Sequence, residues 1–188
     1  MALYSTSTKE GVDINAVFIK DTNTPEYPAP PFGVGELAWG TDGSEWVYCT
    51  ASISIAATSV VLVDPHPGSW SVSLIGGATV ATAPTGQLVG IVGGSIGSLA
   101  VPAPTGTQTG TFFWVQRAGN IPNVKCAAST TKNAQLYSSA TVSGQVSSSA
   151  GGAGTTYQIN GLVISVATGS VAGPNTAIAN YPVVGSSA

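Results

Sequence analysis

Three short stretches hold residue types that could do chemistry. GGSIG, residues 93–97, has the spacing of a serine-hydrolase nucleophile elbow, with Ser95 as nucleophile. Such a serine needs a later acid and a later histidine, and neither follows Ser95 in the chain. VDPHPG carries the single histidine, His66, two residues after Asp64. An aspartate can orient an imidazole at that spacing, yet a histidine between two prolines reads as a solvated turn residue. TDGSE sets Asp42 near Glu45 with no third ligand beside them, and its Asp-Gly pair reads as a hairpin turn. Cys49 and Cys126 make neither a disulfide framework nor a zinc site, and two buried thiols are expected. No glycine-rich loop opens a helix, and no phosphate loop with its lysine is present. Nothing pairs the carboxylates for glycoside hydrolysis. The chain is therefore expected not to be an enzyme, with no catalytic residue, no metal and no cofactor.

The composition explains why so little chemistry can be assembled. Of 188 residues, 43% are hydrophobic, enough for a real core, and only 7% are charged, against about 25% in an average soluble domain. All eight acids lie within residues 1–64 with two lysines, a net charge of −6 there. The remainder holds Arg117, Lys125 and Lys132 and no acid, so residues 65–188 carry +3. From Asn133 to Ala188 there is no charged side chain. A surface so short of charge has little electrostatic protection against association. It suits a protein that works against partners or copies of itself, or else a surface kept soluble by hydroxyls. No basic stripe points to nucleic acid. The longest apolar stretch, residues 53–63, is interrupted and far short of the roughly 20 residues that span a bilayer. Residues 1–20 lack the apolar core of a signal peptide.

The elements that carry these residues read as strands. Residues 1–33 form an expected extended N-terminal arm, because the prolines of TPEYPAPPFG forbid a helix. Such an arm can lie across a neighbouring subunit or hang as a loose terminus. Residues 34–188 form the expected β-domain. SEWVYCTASISI alternates, with Val47, Cys49, Ala51, Ile53 and Ile55 on one face. Further strands are expected in SVVLVD, WSVSLI, TVATA, QLVGIV, SLAVPA, TFFWVQR, IPNVKCAA, QLYSSATV, YQINGLVISVA and TAIANYPVV. In TFFWVQR, Phe113 and Val115 point one way with Arg117, and Phe112 and Trp114 the other with Gln116. Large apolar groups on both faces predict a strand buried on both sides. AGNIPN then reads as an excursion joining two strands, flanked by Arg117 and Lys125. Ten or more short strands with turn signals between them predict an all-β barrel or jelly-roll-like sandwich.

Several of these phrases together resemble the capsid decoration, or cement, proteins of tailed bacteriophages. They are TDGSEWVYCTASISI, GTFFWVQRAGNIPNVKCAASTTKNAQLYSSATVSGQV, GLVISVATGS and ANYPVVG, within residues 35–188. The resemblance implies a small all-β protein on the outer surface of an icosahedral head. Its partners would be the major capsid protein and its own copies, as a homotrimer, with no nucleic acid and no membrane. It would be made in the host cytoplasm and end in the virion. Candidate interface residues are Tyr27, Phe32, Trp46, Trp114, Arg117 and Lys125. The alternative is a carbohydrate-binding or adhesin-like module of a tail or fibre, with Trp46, Trp70, Trp114, Tyr48 and Tyr137 lining a sugar face.

Overall fold

One strand organises the molecule. In a computed structural model, which describes residues 12–21, 30–66, 68–77, 85–93, 102, 108–151 and 156–187, strand β7 runs from Gln108 to Cys126. The other strands are β1 (Phe18–Asp21), β2 (Leu37–Trp39), β3 (Glu45–Ala51), β4 (Val60–Asp64), β5 (Ser71–Leu74), β6 (Leu88–Val92), β8 (Leu136–Ser138), β9 (Val146–Ser147), β10 (Tyr157–Ile164) and β11 (Gly173–Ser187). No helix occurs among the described residues. The all-β expectation is met, and the strands form one 11-stranded sheet in a ring-like arrangement, as a barrel or sandwich requires. The expected strands TVATA and SLAVPA lie outside the described residues, apart from Pro102.

Two closed circuits of paired strands share β7. Its first half pairs with β3, from Thr111 against Ala51 to Ala118 against Glu45. From β3 the ring continues through β5, β4 and β6, and β6 returns to β7 at Gln116 and Val115. The second half of β7 pairs with β11, from Ala118 against Asn180 to Cys126 against Gly173. That ring runs on through β10, β8 and β9, and closes where Val146 meets Cys126. Closure removes sheet edges that would otherwise template further pairing.

The period-2 pattern assigns side chains to two interiors. The first ring encloses Val47, Cys49, Ala51, Ile55, Val61, Val63, Val72, Val92, Phe113 and Val115. Alternate residues of β4 and β6, namely Val60, Leu62, Val89 and Ile91, turn the other way and join the second core. There they meet Ile121, Val124, Leu136, Ile159, Leu162, Ile164 and Val184. The barrels thus lean on each other through a wall whose two faces are both buried. Ile53 departs from the expected alternation and is exposed, because β3 ends at Ala51 and residues 52–53 bend.

Residues 12–21, which fall within the expected arm, lie on the chain's own sheet. β1 pairs with β7, Phe18 against Phe112. Val12 and Ile14 are buried with Ala38, Trp46, Tyr48 and Trp114, and Phe32 packs against the same group. This layer covers the outer face of β3 and β7. It buries the second face of TFFWVQR, as the aromatic pattern predicts.

AGNIPN is not a connection between strands, because β7 continues through it. Gly119 makes this possible. It takes φ +97°, and an added Cβ would lie 2.8 Å from Ser44 Cα, so the 40–44 turn packs directly on its backbone. A bulge sits just before it: Glu45 faces Ala118 while Trp46 faces Gln116, leaving Arg117 unmatched. Strict alternation would send Arg117 inward with Phe113 and Val115, and the bulge re-aims it.

Candidate interaction surface

The aromatic candidates are consumed by the first barrel's outer layer. Trp46, Tyr48 and Trp114 are all buried. Tyr48 and Trp114 have ring centroids 4.9 Å apart, and Phe32 lies 5.4 Å from Tyr48 and 5.1 Å from Trp114. The Trp46 indole N–H donates to Ser44 Oγ at 2.9 Å, so the polar edge of this buried ring is satisfied. Burial pushes the Tyr48 phenol up to about 12. Trp70 and Tyr137 are half-buried, so the five aromatics weighed as a sugar platform do not share an exposed face. Phe32, Trp46 and Trp114 hold the domain together, and Tyr27 lies outside the described residues.

The two cationic candidates are also engaged. The Arg117 guanidinium lies over the Tyr181 ring, 5.5 Å from its centroid. The Tyr181 hydroxyl donates to Glu45 Oε2 at 2.8 Å. That bond, and the Glu45 charge behind it, hold the phenol above its usual range. Glu45 is buried, so this hydroxyl supplies a donor to a carboxylate largely withdrawn from water. The cluster joins the start of β3, the bulge of β7 and the bend of β11, at the waist between the barrels. Lys125 Nζ donates to the Ser143 carbonyl at 3.3 Å, and Lys125 N–H donates to the Thr58 carbonyl at 2.9 Å.

Of the residues singled out for chemistry, His66 and Asp64 meet, on the surface. His66 is exposed and its Nδ1 contacts Asp64 Oδ1, while its backbone N–H donates to the same oxygen at 3.3 Å. These bonds hold the Asp64 carboxyl below its ordinary value. Of GGSIG, Gly93 is described and Ser95 lies outside the described residues. Asp42 Oδ1 accepts from the Ser44 N–H at 3.0 Å, and Gly43 takes φ +80°, the turn that Asp-Gly predicts. Among the described residues no group of three or more His, Cys, Asp or Glu lies together. Cys49 and Cys126 are free, buried thiols in different cores. Burial pushes Cys126 up to about 12 and Cys49 further still, with Arg117 opposing the shift at Cys49.

Exposed apolar side chains occur on the first barrel, at Leu37, Trp39 and Ile53, and on the outer face of the second. Val163 on β10 pairs with Ile178 on β11, and Ile178 pairs with Asn120 on β7. This row is solvent-facing, with Val163 41% and Ile178 54% exposed. Val166 at 55% and Val171 at 78%, on the β10–β11 connection, and Tyr181 at 47% are also exposed. The connection is well anchored. Ser165 N–H donates to the Thr176 carbonyl at 2.9 Å, Ser129 N–H to the Gly169 carbonyl at 2.8 Å, and Thr168 Oγ1 to the Ala127 carbonyl at 2.9 Å. The exposed valines are therefore presented on a fixed frame. Sequence alternation missed this face because YQINGLVISVA is apolar in both phases. Gly161, at φ +79° and with no room for a Cβ beside the Asn180 carbonyl, shifts the register within it. The charge-free run from Asn133 onward was the available signal.

No family model matches the chain, and no curated protein does.

Proposed function

We propose that the protein is a virion structural protein, a capsid decoration or cement protein. In this reading it sits on the outer surface of an icosahedral head as a homotrimer and stabilises contacts between major capsid protein subunits. The observation that carries the reading is the exposed apolar pair Val163 and Ile178 on β10 and β11, with Val166 and Val171 exposed on the uncharged connection between those strands. A monomer gains nothing from holding four large aliphatic side chains in water on an anchored frame, and grouped apolar exposure marks contact surfaces. Covering it against a partner contributes about 25 cal/mol per Å² of apolar area. Repetition around a closed shell multiplies weak contacts through avidity. The resemblance of the β3, β7 and β10–β11 phrases to decoration proteins supports the same reading.

The test is electron microscopy of purified heads prepared with and without the protein. Added density at regular positions on the outer surface is the expected result. Heads that look the same in both preparations would overturn the reading. A glycan array should be blank, and saturable binding there would favour the adhesin alternative.

A further inference from the structure

We infer that Arg117, set over Tyr181 at the waist between the barrels, is a binding site for a carboxylate, free or borne by an Asp or Glu side chain of another protein. The inference goes beyond the proposed function, which rests on apolar contact, and neither depends on the other.

Departures from regular strand structure meet at this point. The bulge in β7 leaves Arg117 unmatched on β3 and re-aims it away from the apolar interior. Bulges of this kind recur beside functional sites. On β11, Tyr181 takes φ +48°, a left-handed conformation that is an outlier for a bulky side chain. Pro182 follows it, and a residue before proline favours extended backbone. Strain of this sort persists only where the surrounding structure enforces it, and it gathers at ligand sites. Here it sets the Tyr181 ring centroid 5.5 Å from the guanidinium and the Tyr181 hydroxyl on the buried Glu45.

The guanidinium is left with donors unused. Among the described residues the Arg117 side chain makes no hydrogen bond and no ion pair, and its Nε is buried with no acceptor. A buried donor without an acceptor is costly, which favours an acceptor from outside the chain. Lys125 shows the contrast, because its Nζ already donates to the Ser143 carbonyl. Glu45 does not occupy the fork, since it takes its bond from Tyr181 instead. Its charge behind the Tyr181 hydroxyl disfavours a dianion such as phosphate and leaves a single negative charge as the better match. A carboxylate carries that charge, and its two oxygens accept parallel N–H bonds from a guanidinium. The ring beneath Arg117 helps hold the fork in place.

The test is nuclear magnetic resonance on the full chain, following the Arg117 Nε–H signal and the Tyr181 ring signals. Acetate, phosphate and a blocked peptide bearing one glutamate are each titrated at an ionic strength held constant with sodium chloride. The expected result is saturable shifts with acetate or with the peptide, the tighter of the two naming the source of the carboxylate. In Arg117→Lys, which keeps the charge and loses the fork, affinity read from the Tyr181 ring should fall at least about tenfold. Circular dichroism and thermal melting check that the variant is folded. Arg117→Gln replaces it if it is not, and the wild-type titration decides alone if neither folds. Shifts that do not saturate, that persist unchanged in the variants, or that chloride alone reproduces would overturn the inference. Tighter binding of phosphate than of either carboxylate would also overturn it.

Discussion

The two barrels share a strand and a wall, and their interiors are alike. Each is packed with Val, Ile and Leu from alternating strand positions, and each hides one free cysteine. Their outsides differ. The first wears a fitted layer in which Val12, Ile14, Phe32 and Ala38 cover Trp46, Tyr48 and Trp114. The second leaves Val163, Val166, Val171 and Ile178 in water. The same chain thus covers one apolar sheet face with its own N-terminal residues and leaves another uncovered. The lesson is that Trp46, Tyr48 and Trp114, the obvious contact candidates, here report internal covering, while the exposed surface mixes Val163, Val166, Val171 and Ile178 with Leu37, Trp39 and Tyr181.

Mutations can break this contrast in order of effect. Trp114→Ala should be the most damaging, because it empties the centre of the aromatic layer. A loss of about 3–5 kcal/mol is expected for such a truncation, seen as a melting temperature lowered by about 10 °C for a chain of this size. Ile14→Ala should cost about 2–4 kcal/mol, which sharpens the claim that residues 12–14 belong to the fold. If its melting curve overlays the wild type, the covering layer is not as tightly held as described. Deleting residues 1–31 removes β1 and the buried Val12 and Ile14, and should destabilise the domain rather than merely shorten it.

The pH response tests the burial of the thiols and Tyr48. These groups have folded-state values raised above their unfolded ones, so the native chain holds protons that the unfolded chain releases. The sign follows: stability is full below about pH 9, then falls as pH rises toward 12. Urea midpoints measured across that range should decline steadily, and a flat profile would contradict the burial. Smaller still is Tyr181→Phe, which removes the donor to Glu45 at the waist. It should lower the melting temperature by less than Ile14→Ala does. The smallest effect on the monomer belongs to Ile178→Lys, because the site is already solvent-facing. Near-unchanged melting there, beside a large effect at Trp114, is the contrast in its sharpest form.

Local pattern made part of this legible. TFFWVQR announces burial on both faces, and both occur. TDGS announces a turn, and Asp42 and Gly43 make it. What sequence could not reveal is which residues supply the second covering, because Val12 and Ile14 are about a hundred positions from Trp114. Likewise Tyr181 and Glu45 are 136 positions apart and meet only through ring closure. Bulges defeated alternation twice, re-aiming Arg117 and shifting register at Gly161. One extra residue reverses which side chains face out, and a period-2 reading has no means of seeing it.

The central claim is that this chain works by covering surfaces through uncharged contact. Cosedimentation of the purified protein with heads that lack it tests this most directly, repeated from about 0.1 M to about 1 M salt. Over that range the screening length shrinks from about 10 Å to about 3 Å, while apolar contact persists. The account expects saturable binding that high salt does not weaken. Binding that vanishes at high salt, or no binding at either, would contradict it.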